Sequence, residues 1–264
     1  MDLGLKNAVV IVQGGSKGMG RAAAELFAAD GAKVGIIARS PVDLEETVNA
    51  LKHLGAADAA GFAADIARRD EIEHVFTAIA ERWGHVNSLI NCAGPEVTGT
   101  IEELTDQDWL DAVDVGALGM VRCVRAALPL MRRADWGRIV NLSAHSIKRQ
   151  TPRLVAYTAV KAMVASITKN LSLSLAPDGI LVNTVLPGSF ASPALKRWAE
   201  RNGIDPNDLT AIMDGIRQHF GHPAHLPRAG DPSEIGPVIV FLASRRNSYM
   251  TGAFVNVDGG SDFS

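Results

Sequence analysis

Ala8-Val9-Val10-Ile11-Val12-Gln13 runs into Gly14-Gly15-Ser16-Lys17-Gly18-Met19-Gly20 and then into Arg21-Ala22-Ala23-Ala24-Glu25-Leu26-Phe27. The opening run is apolar and rich in β-branched side chains, the pattern of a short buried strand, and the closing run is made of helix formers. Strand, glycine-rich turn and helix in that order are what a dinucleotide site requires. Gly14, Gly18 and Gly20 let the backbone approach a pyrophosphate, with Ser16, Lys17 and Met19 in the same turn. The amides at the start of the new helix are unpaired, and its dipole favours negative charge there.

A second apolar run, Lys33-Val34-Gly35-Ile36-Ile37-Ala38, ends at Arg39 and Ser40, about 20 residues beyond the glycines, where such a unit meets the adenosine ribose. An acid there would bind the ribose 2′-hydroxyl. Arg39 offers instead a planar fork for a 2′-phosphate, and Lys17 adds a second positive charge. The two cations predict NADP(H) as the preferred cofactor, with NAD(H) as the second choice.

The alternation continues. The pattern predicts a helix over 42–54 and a weak strand of small residues over 59–64. That strand closes on Asp65 and Ile66, where an acid can meet the adenine amino group. A helix over 68–83 and a strand over 86–92 follow, the strand containing Asn91 and running into Ala93 and Gly94. One long helical segment spans 105–133, opened by an N-cap signal at Thr105 with Asp106 and Asp108 behind it. A strand over 138–143, a long helix stopped at Pro177-Asp178-Gly179, and a strand over 180–186 delivering Pro187 and Gly188 come next. Asp231-Pro232-Ser233-Glu234 caps a last helix, and 253–257 is an edge strand.

Unbroken alternation predicts an α/β fold with a parallel sheet covered on both faces and a ligand crevice beyond the strands' carboxyl ends. No linker or repeat divides 1–264, and such folds reach about 250 residues undivided, so a single domain is expected. Residues 190–226, with Trp198, Met213 and Phe220, are too long for a plain connection. They predict a mobile cover over the crevice, and their apolar content suggests an apolar or acyl substrate.

Of the 264 residues, 47% are apolar, enough for a large core. Twenty-six Lys and Arg against 29 Asp and Glu give a net charge of -3, which with no long basic run argues against nucleic acid and anionic membranes as general partners. Residues 1–6 carry no basic and apolar leader, and no apolar run has the length of a membrane span. A soluble cytoplasmic protein is expected, with Cys92 and Cys123 as reduced thiols.

The chemistry is predicted in Ala156-Tyr157-Thr158-Ala159-Val160-Lys161. On a helix, four residues bring the Tyr157 hydroxyl and the Lys161 ammonium onto one face, one turn apart. A phenol titrates near pH ~10, so it needs a neighbouring positive charge to exchange protons near neutrality. The pair suits interconversion of a carbonyl and an alcohol.

At these residues the sequence resembles the short-chain dehydrogenase/reductase family, over almost its whole length. Gly14, Gly18 and Gly20 match the family's GxxxGxG, and Asn91-Cys92-Ala93-Gly94 is similar to its NNAG. Tyr157 and Lys161 match YxxxK, Asn183 with Pro187 and Gly188 matches NxxxPG, and Tyr249-Met250-Thr251-Gly252 with Val257-Asp258-Gly259-Gly260 resembles its C-terminal strand. The resemblance implies a three-layer Rossmann fold with a seven-stranded parallel sheet, hydride transfer with a nicotinamide cofactor, and a homotetramer or homodimer acting on a small carbonyl or alcohol. The 3-oxoacyl reductase-like members are the nearest in flavour. It also implies that Tyr157 protonates the substrate oxygen and Lys161 bonds the nicotinamide ribose. Pro187, Gly188 and Ser189 would flank the nicotinamide, and Ser192 would stand where a Thr often bonds its carboxamide.

Two departures stand out. The family's catalytic Ser falls on Ala144, and its helix Asn falls on Gly116. Alanine cannot donate to a developing oxyanion, and losing one such donor costs about 10² to 10³ in rate. Ser143, His145 and Ser146 are candidate substitutes; the alternative is a cofactor-binding protein with little or no turnover. Gln13 replaces the usual Thr before the first glycine. His219, His222 and His225 recur every third residue, but Gly221 and Pro223 break a helical ligand face and no metal is expected.

Overall fold

The computed structural model describes residues 1–261. Its seven strands are β1 (Val9–Gln13), β2 (Lys33–Ala38), β3 (Asp58–Ala63), β4 (Ser88–Asn91), β5 (Gly137–Leu142), β6 (Ile180–Pro187) and β7 (Phe254–Val257), in the spatial order β3-β2-β1-β4-β5-β6-β7. Every pairing is parallel. The order reverses between β1 and β4, which places the ligand crevice of such a sheet at their carboxyl ends.

Strands β1, β4 and β5 are buried along their whole length, as strands covered on both faces must be. One apolar layer joins Val10, Val12, Phe27 and Ile36 to Ile235 and Ile239. The opposite layer joins Val9, Ile11, Phe76, Leu89, Met120 and Ile139. Helices α1 (Gly18–Ala29), α2 (Pro41–His53) and α9 (Pro232–Leu242) supply the first cover, and α3 (Arg69–Trp83), α5 (Gly119–Met131) and α6 (Val155–Ser174) supply the second. Capping boxes open α4 (Asp106–Val113) at Thr105 with Asp108, and α9 at Asp231 with Glu234.

The long helix expected over 105–133 is not continuous. A π turn, Asp114–Leu118, separates α4 from α5. Gly116 lies in that turn, and a Cβ there would collide with Val160 Cγ1 and stand 2.7 Å from Pro95 Cδ. Tight approach of α6 and the loop after β4 distorts the helix, a tertiary effect that its own sequence does not announce.

The segment 190–226 holds α7 (Pro193–Arg201) and α8 (Leu209–Phe220), packed on a small cluster of Ala191, Ala199, Ile212, Met213 and Ile216. The single-domain expectation runs to Ser264, and its last three residues lie outside the described residues. Among the described residues no helix is long and apolar enough to cross a membrane. Cys92 and Cys123 are free thiols.

Candidate active site

The glycine turn leaves β1 with Gly14 at φ 74°, its amide donating to the Ile37 carbonyl at 2.8 Å. A Cβ on Gly14 would stand 2.7 Å from the Ala93 amide nitrogen, and one on Gly20 would strike the Gly14 carbonyl. Only bare backbone lets the turn, the start of α1 and the end of β4 pack this closely. Ser16 is buried and Lys17 is exposed. Lys17 is the N-cap of α1 and makes no side-chain bond to it, so no side chain occupies the amides of the helix's first turn. Buried Gln13 ties the turn to the opposite wall: its Oε1 accepts from the Ala93 amide at 3.0 Å. The substitution noted in the sequence thus has a structural part to play.

Of the two cations expected at the ribose, Arg39 is exposed at the end of β2 and makes no ion pair or hydrogen bond among the described residues. Lys17 Nζ stands 2.6 Å from Asp43 Oδ2 and holds that carboxyl below its ordinary range. Ser40 caps α2, accepting from the Asp43 amide at 3.2 Å. Asp65 Oδ1 accepts from the Ala67 amide at 2.9 Å. Ile66 is buried against Gly119, and its carbonyl accepts from Arg122. The Asn91 side chain is turned into the protein: Nδ2 donates to Asn141 Oδ1 at 2.8 Å, and Asn141 Nδ2 donates to Thr168 Oγ1 at 2.9 Å. Asn91 is therefore part of a buried amide chain joining β4, β5 and α6, and only its backbone can reach the crevice.

Tyr157 and Lys161 stand one turn apart in α6, with Lys161 Nζ 5.7 Å from the Tyr157 ring centroid. Lys161 is buried and donates to the Leu142 carbonyl at 2.9 Å. Gly94 makes room for it, since a Cβ there would meet Nζ at 2.8 Å. Burial pushes the Tyr157 phenol up to about 12 and the Lys161 ammonium down to about 8. Burial also raises the Cys92 thiol to about 12, with the charge of Lys161 pulling the other way. Cys92 is an inert neighbour.

Around Ala144, the three candidate donors are placed differently. Ser143 Oγ donates to the Lys161 carbonyl at 2.7 Å, so its one proton is committed to α6. Ser146 accepts from Thr158 Oγ1 at 3.2 Å. His145 is buried, with Nδ1 3.0 Å from the Pro187 carbonyl, and since a carbonyl only accepts, Nδ1 carries the hydrogen. Next to it, Gly188 donates to the Val257 carbonyl at 2.9 Å, and the Ser189 carbonyl accepts from Gly230.

The start of the segment 190–226 lies against the glycine turn. Ser192 caps α7, accepting from the Leu195 amide, and its N-terminal end roofs the glycine turn: a Cβ on Gly18 would lie 3.3 Å from Pro193 Cδ and 3.6 Å from Ser192 Cβ. Arg197 Nη2 reaches both oxygens of Glu96, at 2.7 and 2.9 Å, tying α7 to the chain after β4. The three spaced histidines diverge. His219 bonds the Gly215 carbonyl and meets the Trp198 ring edge-on, His222 meets His145 with ring centroids 5.1 Å apart, and His225 is exposed. Among the described residues no group of three or more His, Cys, Asp or Glu is arranged to hold a metal ion. The Arg197 to Glu96 bridge and the His145 to His222 contact had no sequence signal, because each joins segments far apart in the chain.

A family profile described as enoyl-(acyl carrier protein) reductase matches residues 14–262. The short-chain reductase protein NovJ of Streptomyces niveus is 32% identical over 255 residues, covering 97% of this chain and 94% of that protein. The chain belongs to the short-chain dehydrogenase/reductase family, a family of oxidoreductases. Another short-chain relative, the 3-oxoacyl-[acyl-carrier-protein] reductase FabG of Staphylococcus epidermidis, is 30% identical over 256 residues, covering 96% and 98%. The L-sorbose reductase of Gluconobacter frateurii, solved with NADPH and L-sorbose, superposes with a TM-score of 0.91 at 29% identity over 100% of both chains.

The donor set here fits the nicotinamide dinucleotide this short-chain fold implies. The first-turn amides of α1 carry no side-chain cap, Gly14, Gly18 and Gly20 have no side chains to obstruct a pyrophosphate, and Arg39 at the end of β2 makes no ion pair or hydrogen bond among the described residues. Lys161 uses one of its three donors on Leu142, leaving two.

Proposed function

We propose that this chain is an NADP(H)-preferring oxidoreductase that interconverts a ketone and a secondary alcohol. The observation that carries it is the Tyr157 and Lys161 pair on α6, with Lys161 packed on Gly94, the neighbour of the Ala93 that meets Gly14 of the glycine turn. When bound, the nicotinamide supplies or takes the hydride at the carbonyl carbon. Tyr157 gives its proton to the carbonyl oxygen as hydride arrives, and takes it back in the reverse direction. With its phenol raised to about 12, Tyr157 is protonated throughout the neutral range, the state a donor needs. Lys161, at about 8, keeps its charge at pH 7 and stabilises the phenolate left behind. Arg39 and Lys17 select the 2′-phosphate, Lys17 by exchanging Asp43 for it. Asp65 and the backbone of Ile66, Asn91, Ala93 and Gly94 line the adenosine side, while Pro187, Gly188, Ser189 and Ser192 flank the nicotinamide under the 190–226 cover.

Ser146 takes the place of the missing serine. Ser143 has spent its proton on the Lys161 carbonyl, whereas Ser146 accepts from Thr158 and keeps its own hydroxyl proton to donate. The His145 ring, with Nδ1 turned to the Pro187 carbonyl, holds the loop that carries Ser146.

Cofactor titration by nucleotide fluorescence, run beside a panel of ketones, tests this reading. NADPH should bind at least tenfold more tightly than NADH, a preference that Arg39→Ala removes and Lys17→Ala weakens. Tyr157→Phe should abolish turnover, and Ser146→Ala should lower kcat by about 10². Tight NADPH binding with no hydride transfer to any ketone would mean a cofactor-binding protein without catalysis. Ser146→Ala at full turnover would remove the donor role from Ser146.

A further inference from the structure

We propose that Asp43 limits how strongly this protein prefers NADP(H) over NAD(H): it holds Lys17 as a counter-ion that a 2′-phosphate must displace, and its own charge then opposes that phosphate. The proposal rests on the assignment of Lys17 and Arg39 to the 2′-phosphate and adds a specificity-determining residue that works against them.

Three segments converge on Asp43. From the glycine turn, Lys17 Nζ lies 2.6 Å from Asp43 Oδ2. From the end of β2, Ser40, the neighbour of Arg39, accepts from the Asp43 amide at 3.2 Å. Within α2, the buried Thr47 hydroxyl is shared between two carbonyls, that of Asp43 at 2.7 Å and that of Ser16 at 3.3 Å. This hydroxyl ties the first turn of α2 to the glycine turn, so the backbone itself places Asp43 beside Lys17. The two partners differ in freedom. Lys17 is 56% exposed on a four-carbon stem and can swing to a new anion, whereas Asp43 is 26% exposed, on one carbon, inside a helical turn.

The charges decide the sign. A phosphate monoester carries close to two negative charges at pH 7, and NAD(H) has a neutral hydroxyl on the same ribose carbon. Asp43 therefore acts on one cofactor and spares the other. Lys17 must release the carboxylate before it can serve the phosphate, and a phosphate bonded to Lys17 then has that carboxylate as a like-charged neighbour. Arg21 is engaged elsewhere, with its Nε on Glu25 and its Nη1 on Glu46. Repulsion of this kind shapes specificity as attraction does. Solvent and salt screen an exposed pair, which holds the effect to about tenfold.

NADPH and NADH dissociation constants of the full chain are measured by nucleotide fluorescence, beside thermal melting without cofactor. Asp43→Asn removes the charge and keeps the shape. It should bind NADPH about five- to tenfold more tightly than the wild type and NADH within about twofold of it, so the preference widens. Asp43→Ser, a second uncharged variant, should shift the same way, and Asp43→Glu, which keeps the charge, should stay within about threefold of the wild type. In about 0.5 M salt the gain of Asp43→Asn should shrink to about twofold. NADPH affinity that is unchanged or weaker in both uncharged variants would overturn the proposal. Equal tightening of both cofactors would overturn it as well, because Asp43 would then act through the fold of α2 or on a part that the cofactors share. Arg39→Ala separates the two readings: it should weaken NADPH whether or not Asp43 matters, and if it does not, the 2′-phosphate assignment fails and takes this proposal with it.

Discussion

Lys161 is held at the expense of the fold. Its ammonium is buried with one carbonyl partner and no carboxylate bonded to it among the described residues. Its fall from 10.5 to about 8 corresponds, at 1.36 kcal/mol per unit, to about 3 kcal/mol of destabilisation in the charged state. The sign follows from proton binding. Between pH 8 and 10.5 the unfolded chain holds the proton that the folded chain has released, so stability rises with pH across that window, and the full penalty is present below pH 8. Lys161→Met, close in volume and free of charge, should therefore melt several degrees above the wild type at pH 7, with the gap closing by pH 10, while turnover is lost. Differential scanning fluorimetry at the two pH values decides it, and a variant that melts lower at pH 7 would show that the Leu142 bond outweighs the burial. The YxxxK spacing announced this pair. The sequence could not announce that Ser143 gives its proton to the Lys161 carbonyl or that Asp43 already holds Lys17, because both depend on which way a side chain turns.

Among the elements, the α4 to α5 segment is where periodicity misled. Its apolar spacing reads as one helix, and the Thr105 capping box is where the sequence puts it. What splits it is a neighbour: Val160 on α6 and Pro95 after β4 press on Gly116, and the backbone takes up the difference as a π turn. The strands were more legible, since β1 and β2 end where glycine and arginine follow an apolar run, and no strand edge moved by more than two residues. This bears on the family's relay asparagine, whose place is not merely vacated but filled. Restoring it as Gly116→Asn should destabilise the protein by about 2–3 kcal/mol through overpacking and should not raise turnover. Urea denaturation measures the first and steady-state kinetics the second. Unchanged stability would mean that Val160 yields easily and that the π turn has another cause.

At the scale of the whole molecule, two separate sets of large apolar side chains remain exposed. Leu110, Leu118, Met163 and Leu173 lie on α4, the π turn and α6, which pack beside one another. Tyr249, Met250 and Phe254 lie at and before β7, the edge of the sheet, whose outer backbone groups pair with no other strand among the described residues. Monomers rarely leave patches of this kind uncovered, and an open sheet edge invites association. One self-complementary surface makes a twofold dimer, and two make a tetramer of dihedral symmetry. The chain should therefore run as a homotetramer by light scattering at micromolar concentration. Phe254→Lys should halve its mass by charging the β7 contact, Leu173→Lys should halve it through the other, and the double variant should be monomeric. Each variant should keep its NADPH affinity, because neither residue reaches the glycine turn. A wild type that is monomeric throughout this range would leave both apolar sets in need of some other cover, and single variants that fall directly to monomers would mean that the two surfaces form one interface.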